Sequence, residues 1–149
     1  GNRGGGAAIN CLEADPAVEI VAVAAALGDR ARKFGATLAA WGEKNLKAGE
    51  RRVTVTPETT FIGFDAYKKL LAVSPLDMVI ITSSVAFHPI HLEACIRAGK
   101  HAFVEKSAAV DPVGCRRLIA AVEQSGLRGR GGGGFPPGRK WRIGADALD

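Results

Sequence analysis

The chain is poor in the features that mark several large protein classes. It has three cysteines, at positions 11, 95 and 115, and no Cys-x-x-Cys pair. Three scattered cysteines cannot build a disulfide framework, and without paired cysteines there is no signature of a structural zinc site. No apolar run approaches the ~20 residues that a bilayer-spanning helix needs. We therefore expect neither an integral membrane protein nor a disulfide-stapled domain, and we expect no metal.

Glycine and positive charge are unevenly distributed along the 149 residues. The chain carries 20 Lys and Arg against 15 Asp and Glu, a net charge of +5, and 19 glycines. Residues 126–149 alone hold 8 of these glycines and five basic residues against two acidic ones. Because the remaining chain is nearly neutral, its charge does not favour a nucleic-acid partner. Two Arg-Gly dipeptides in the terminal segment resemble RNA-binding RGG stretches, which keeps RNA association as an alternative function.

Buried strands and helices are predicted to alternate up to residue 125. Near-continuous apolar runs predict strands at 18–24, 76–82 and 101–105, with a short edge strand at 53–55. Helix signals predict helices over 4–13, from an Asp29 cap to Trp41, after an Asp65 cap, from His88 to Gly99, and from Asp111 to Val122. This alternation is typical of βαβ units in an α/β protein with a parallel sheet.

The pattern changes after Gly126. The segment GLRGRGGGGFPPG has neither helical nor strand periodicity, and its glycine and proline content argues against a packed element. We therefore divide the chain into residues 1–125, a nucleotide-binding domain, and residues 126–149, an irregular tail. The tail is either a genuine low-complexity end or the product of a shifted reading frame.

The first residues contain half of a dinucleotide-binding fingerprint. Gly1-Asn2-Arg3-Gly4 directly precedes a predicted helix, and such a turn brings pyrophosphate close to backbone N–H groups at a helix N-terminus. A glycine-rich turn with a purely structural role explains these residues equally well. The first glycine and the first strand of the complete fingerprint would lie before Gly1, so we expect a fragment.

A second segment is more specific. Thr82-Ser83-Ser84 ends a predicted strand, His91 follows on a helix, and AGKHAFVEKS runs from 98 to 107. With the strand VEIVAVA, these residues resemble the nucleotide-binding half of the Gfo/Idh/MocA oxidoreductases, whose pattern includes AGKHVxxEKP. The resemblance covers about residues 1–125. It implies a three-layer Rossmann-like parallel sheet with helices on both faces, its first strand missing here, and NAD or NADP as cofactor.

The resemblance also implies a set of cofactor-binding residues. They belong to the glycine-rich turn, the loop after the second long strand, the following helix and the EKS segment: Gly1, Asn2, Arg3, Gly4, Thr82, Ser83, Ser84, His91, Glu105 and Lys106. Lys106 matches the family lysine beside nicotinamide and substrate, which makes it the candidate catalytic residue. His91 matches the family's helix histidine, and we interpret it as positional.

Two positions depart from the family pattern. Ala25 stands where a carboxylate normally holds the ribose hydroxyls, which leaves the choice between NAD and NADP open. Ser107 replaces a proline that usually follows a cis peptide bond. Because a non-proline cis bond costs about 2.5–4 kcal/mol, we expect a trans bond before Ser107 and a different direction for Lys106.

One possible set of metal ligands has a simpler explanation. His88, His91 and Cys95 share a helix face at the spacing of metal ligands, but a helix start and a buried thiol explain them better. Tyr67-Lys68-Lys69 is interpreted as a core aromatic residue beside solvated lysines.

We predict the nucleotide-binding half of an NAD(P)-dependent oxidoreductase that acts on a hydroxyl or carbonyl carbon of a sugar, polyol or cyclitol. The fragment alone is expected to be inactive, and the full-length protein to be a homo-oligomer in the cytoplasm. A non-catalytic dinucleotide-binding or regulatory module is the main alternative.

Overall fold

A computed structural model describes residues 2–129 and 133–146 of the chain. Its elements follow in the order α1 (Asn2–Ala14), β1 (Val23–Ala25), α2 (Gly28–Asn45), β2 (Thr60–Ile62), α3 (Ala66–Leu71), β3 (Met78–Ile81), a 3₁₀ turn (Val85–Phe87), α4 (His88–Arg97), β4 (His101–Val104), α5 (Pro112–Gln124) and α6 (Pro137–Asp146). All pairs between the named strands are parallel, which confirms the predicted α/β class.

The strands form two separate pairs. In one, β1 lies beside β2 with Val23 opposite Thr60, and in the other, β3 lies beside β4 with Met78 opposite His101. One edge of β1 and one edge of β3 line the same cleft.

Two clusters of buried side chains hold these pairs to their helices. Ala8, Leu12 and Leu38 pack together between α1 and α2. The second cluster joins β3, α4 and α5 and consists of Ile81, Leu92, Cys95, Leu118 and Val122. Burying one Leu contributes about 1.5–3 kcal/mol to stability, so each cluster is a main source of order in its region.

Several helix boundaries follow the predicted signals. Asp111 caps α5, since its Oδ1 accepts from the Gly114 amide at 2.7 Å. Gly99 follows α4 with a φ of 66°, a left-handed conformation that glycine adopts without a steric penalty. The predicted cap at Asp29 is wrong: α2 begins at Gly28, because the Leu27 carbonyl already accepts from the amide of Ala31. Asp29 instead pairs with Arg32.

The segment before β1 is less regular than predicted. Only Val23–Ala25 form a strand, and the expected edge strand at 53–55 is reduced to one bridge between Ile20 and Val53. Two backbone hydrogen bonds form this bridge, from the Ile20 amide to the Arg52 carbonyl at 2.9 Å and from the Thr54 amide to the Ile20 carbonyl at 3.0 Å. The Arg52 guanidinium also donates to the carbonyls of Val18 at 3.0 Å and Asp15 at 2.6 Å, which ties this stretch to the end of α1. The strand at Thr60–Ile62 has no counterpart in the sequence-based prediction.

The prediction of a wholly irregular tail is also wrong. Residues 137–146 form α6, which packs against α5. Gly138 permits the contact, since a Cβ there would lie 2.7 Å from the Glu123 amide nitrogen. Arg142 donates to both carboxylate oxygens of Glu123, from Nε at 2.9 and 3.0 Å. The segment contains a helix because proline is tolerated in the first turn and the helix gains packing that periodicity alone does not show.

Candidate functional site

The start of α1 meets the end of β3. A Cβ added to Gly4 would lie 2.6 Å from Thr82 Oγ1, so only glycine allows this approach. Thr82 is the first residue after β3, at the carboxyl edge where open parallel sheets bind ligands. The free N–H groups of the first turn of α1 therefore lie close to that edge, an arrangement that favours an anionic ligand. Gly4 and Thr82, predicted from separate motifs, are brought together.

Arg3 and Glu105 also meet across this edge. Arg3 Nε lies 3.1 Å from Glu105 Oε2, with the arginine side chain 71% exposed and the glutamate side chain 17% exposed. The pair joins α1 to the loop after β4. An arginine with an exposed guanidinium still has donors free for a phosphate. Two neighbouring residues were also predicted to bind the cofactor. Asn2 is the first residue of α1, and its side chain is not described; Gly1 lies outside the described residues.

Ser83 and His91 form the next part of the site. His91 Nδ1 lies 3.0 Å from Ser83 Oγ, which ties the loop after β3 to α4. Burial lowers the pKa of His91, and the positive charge of His88 lowers it further. His91 is therefore neutral at neutral pH, with one ring nitrogen able to accept a hydrogen bond.

Aromatic side chains surround His91. The Tyr67 ring lies 4.7 Å from the His91 ring, and the Phe87 ring stacks on it at 6.0 Å. Phe64, which is 73% exposed, lies 6.0 Å from Phe87. The sequence patterns did not predict these aromatic residues as site residues. They lie on α3, just before it and in the 3₁₀ turn, and only folding brings these segments together. Tyr67 is half-buried and lines the cleft.

A cleft of about 390 Å³ runs between the two strand pairs. Such a volume lies within the range of small-molecule sites. Its walls include Gly4 from α1, Ser83, Ser84 and His91 from the region after β3, and Tyr67 from α3. Five of the predicted cofactor-binding residues, Gly4, Thr82, Ser83, Ser84 and His91, thus line one cleft.

Ala25, at the end of β1, and Arg30, in α2, line the same cleft. Ala25 is the last residue of β1, where the resemblance leads one to expect a carboxylate. Arg30 lies in the first turn of α2 and is exposed. Arg30 was not predicted as a site residue, and the signal that could have found it is its position five residues after Ala25, at the start of the helix.

Lys106 lies apart from the cleft. It is exposed and is not among the residues that line the cleft walls. The bond between Lys106 and Ser107 is cis, so the expectation of a trans bond is wrong. That expectation considered only the local free-energy cost of a cis bond. In the fold, a buried histidine also lies within hydrogen-bonding distance of the Ser107 carbonyl.

That histidine is His88, which was interpreted from sequence as a helix start. It is 1% exposed, and its Nδ1 lies 2.8 Å from the carbonyl oxygen of Ser107. Its Nε2 lies 3.0 Å from the carbonyl oxygen of Ser83. Both ring nitrogens are therefore engaged by backbone groups. Burial raises the pKa of Cys95 on the same helix to about 11, so this thiol is protonated and unreactive at neutral pH.

Two arginines of the terminal segment have partners within the fold. Arg142 is paired with Glu123, and Arg128 Nε donates to the Gly134 carbonyl at 3.0 Å. Arg130 lies outside the described residues. RNA association through this segment stays a prediction.

Comparison with known proteins identifies the family. The family model for GFO_IDH_MocA, described as an oxidoreductase family with an NAD-binding Rossmann fold, matches residues 2–130. The chain belongs to the Gfo/Idh/MocA oxidoreductase family. The match confirms the predicted resemblance, the Rossmann-like fold and a nicotinamide dinucleotide as the cofactor of this domain. It also extends past residue 125, where the sequence pattern placed the end of the domain.

Individual relatives are similar over part of their length. The chain is 28% identical over 120 residues to a dTDP-3,4-didehydro-2,6-dideoxy-alpha-D-glucose 3-reductase from Actinomadura kijaniata, covering 80% of this chain and 30% of the relative. It is 38% identical over 61 residues to an inositol 2-dehydrogenase/D-chiro-inositol 3-dehydrogenase from Halalkalibacterium halodurans, covering 41% of this chain and 18% of the relative. A stretch of 26 residues is 72% identical to a component of the NADH-quinone oxidoreductase of Streptomyces coelicolor, covering 17% of this chain and 6% of that protein.

A solved structure supports the fold. The 3-ketoreductase KijD10 from Actinomadura kijaniata, crystallised with NADP and TDP-benzene, superposes with a TM-score of 0.51 at 27% identity over 81% of this chain and 31% of KijD10. The chain spans less than a third of the length of the curated oxidoreductases of this family that it matches. Among the described residues, no helix is both long and apolar enough to cross a bilayer.

Proposed function

We propose that this chain is the NADP-binding domain of a longer oxidoreductase that transfers hydride between the nicotinamide and a hydroxyl or carbonyl carbon of a sugar or cyclitol. The family and the reductase and dehydrogenase relatives support the reaction class. The cofactor, when bound, supplies or accepts the hydride. The chain spans less than a third of the length of these relatives.

The observation that carries the cofactor site is the approach of Gly4 to Thr82. It places the positive end of α1 beside the carboxyl ends of the strands, where a pyrophosphate gains backbone N–H donors. Arg3 adds positive charge at the same edge, and Asn2 and Gly1 are the adjoining candidates. Residues in this arrangement fit a dinucleotide diphosphate.

The remaining candidate residues have separate roles in the proposed site. Ser83 and Ser84 offer hydroxyl groups at the end of the cleft, and neutral His91 orients Ser83. Glu105 keeps Arg3 in place. Lys106, on the loop beside Glu105, would act on the substrate hydroxyl only with the chain that completes the enzyme.

A preference for NADP over NAD follows from Ala25 and Arg30. No carboxylate stands at Ala25 to bind the ribose 2′-hydroxyl or to repel a 2′-phosphate, and Arg30 lines the same cleft as Ala25. An arginine near the end of the second strand of this fold accommodates a 2′-phosphate. Relatives crystallised with NADP agree with this choice.

Titration calorimetry with NADP tests the site through a matched pair of glycine variants. Gly4→Ala places a Cβ against Thr82, and we expect NADP affinity to fall about tenfold because α1 must shift away from the strand edge. Gly6→Ala, in the same helix, has no atom within 4 Å of the new Cβ and should bind NADP as the parent chain does. Equal affinities for both variants would contradict the placement. Dehydrogenase assays of this chain with sugars and cyclitols should show binding without turnover.

A further inference from the structure

The first residue of α4 is a histidine with no exposed edge. His88 is 1% exposed, and each ring nitrogen lies at hydrogen-bonding distance from a backbone carbonyl oxygen: Nδ1 at 2.8 Å from Ser107 and Nε2 at 3.0 Å from Ser83. These two carbonyls follow different strands. Ser83 lies in the loop after β3, and Ser107 lies in the loop after β4, directly behind Glu105 and Lys106.

The partners determine how many protons the ring carries. A carbonyl oxygen can only accept, so each ring nitrogen must donate for both bonds to form. A neutral imidazole has one N–H, and it would leave a bare nitrogen lone pair facing a carbonyl lone pair in a buried site. The imidazolium has an N–H on each nitrogen and satisfies both carbonyls.

The surroundings show what stabilises that charge. Within residues 2–129 and 133–146, no carboxylate forms an ion pair with His88, so the two carbonyl dipoles are its direct partners. The elements around it carry ionisable groups of both signs: His91, Glu93 and Arg97 on α4, Arg116, Arg117 and Glu123 on α5, His101 on β4, Glu105 and Lys106 after β4, Asp111 before α5, and Arg3 on α1. The lowered pKa of His91 has burial as its first cause and the positive charge of His88 as its second.

We propose that His88 is a positioning residue whose imidazolium form joins the loop of Thr82, Ser83 and Ser84 to the loop of Glu105 and Lys106. Both hydrogen bonds form only when each ring nitrogen carries a proton, so the imidazolium joins the loops most firmly. The consequence for cofactor affinity rests on the proposed function, whereas the protonation and the joining of the loops do not.

Nuclear magnetic resonance of the ¹⁵N-labelled chain tests the protonation directly. At pH 6 we expect both ring nitrogens of His88 to carry protons, with long-lived N–H signals because the ring is buried. His101, an exposed residue at the start of β4, provides the comparison for an ordinary histidine. A single neutral tautomer with one bare nitrogen at His88 would overturn the proposal.

Amide exchange of residues 105–109 tests the joining of the loops. In His88→Gln the side chain cannot span both carbonyls, so exchange should become about tenfold faster than in the control His101→Asn. A variant that only lowers Tm, with exchange in 105–109 unchanged at every pH, contradicts the positioning role.

NADP titration of the same variants separates this proposal from the proposed function. Weaker NADP binding by His88→Gln than by the control His101→Asn supports both. If the parent chain does not bind NADP, the proposed function fails, while the ring signals and the exchange rates still decide the role of His88.

Discussion

The two halves of the molecule are stabilised by different kinds of side-chain packing. In the first, formed by α1, β1, α2 and β2, the buried cluster of Ala8, Leu12 and Leu38 comes entirely from helices, and the strands have three residues each. In the second, formed by β3, α4, β4 and α5, the cluster includes Ile81 from a strand, and the strands have four residues. The second half therefore has the strand-to-helix packing typical of an α/β layer.

This difference affects the candidate site. The second half holds its own loops together, since His88 contacts the loops after both of its strands. The first half supplies Arg30 and also Arg3 and Gly4, and the positions of the last two depend on contacts to Glu105 and Thr82 in the second half. Cofactor affinity should thus be more sensitive to the first half than to the second.

The largest expected effect tests whether the halves unfold together. Leu38 is 0% exposed in the first cluster, and Leu38→Ala should cost about 2–5 kcal/mol of unfolding free energy. Leu118→Ala, in the second cluster, should cost a similar amount. Urea titration followed by amide exchange measures both. Exposed Val113→Ala is the control, expected within about 0.5 kcal/mol of the parent. Loss of protection in only the half that carries the substitution would show that the halves are separate cooperative units.

The next effect concerns α6, which extends the second half. Gly138→Ala places a Cβ 2.7 Å from the Glu123 backbone nitrogen, so α6 should separate from α5 at a cost of about 1–3 kcal/mol. Gly144→Ala in the same helix has open space and should stabilise α6 by up to about 1 kcal/mol. Exchange of the α6 amides distinguishes the two. If both alanines slow exchange, the described packing of α6 is incorrect.

A smaller effect measures how the first half of the molecule contributes to the choice between NADP and NAD. Arg30→Ala should weaken NADP binding by about tenfold, ~1.4 kcal/mol, with little change for NAD. Ala25→Asp should favour NAD, because the carboxylate binds ribose hydroxyls and repels a 2′-phosphate. Arg51→Ala, exposed and away from the cleft, is the control for loss of a positive charge. Equal weakening by Arg30→Ala and Arg51→Ala would remove Arg30 from the site.

The smallest effect is a pH dependence of α6. The hydrogen bond from Arg142 lowers the pKa of Glu123. A carboxyl group whose pKa is lower in the folded state stabilises that state above its unfolded pKa, and this stability is lost as pH falls through the folded value. The protection factors of the α6 amides, which correct for the intrinsic pH dependence of exchange, should therefore be lower in acid than at neutral pH. Glu123→Gln should remove the dependence, and an unchanged acid response in that variant would assign it to another group.

Prediction from sequence was accurate where the signal was local or where a motif was continuous. The helix caps at Asp111 and Gly99 depend on neighbouring residues only, and both were predicted. The motif around Thr82–Ser84 and Glu105 led to the family and to the residues at one edge of the strands. The bonding of the 52–55 segment by Arg52, the strand at 60–62 and the helix at 137–146 depend on contacts between distant residues, and local patterns did not show them.

The sequence by itself determined the family, the α/β order of elements and five of the residues that line the cleft, because apolar periodicity and a motif of fixed spacing are written along the chain. Tertiary structure alone decided that Gly4 must be glycine against Thr82 and that Arg30 and Tyr67 line the same cleft. It also decided that His88, a residue without a distinctive sequence context, contacts two loops. Each of these facts depends on distances between residues far apart in the chain, which are set by packing and not by local preference.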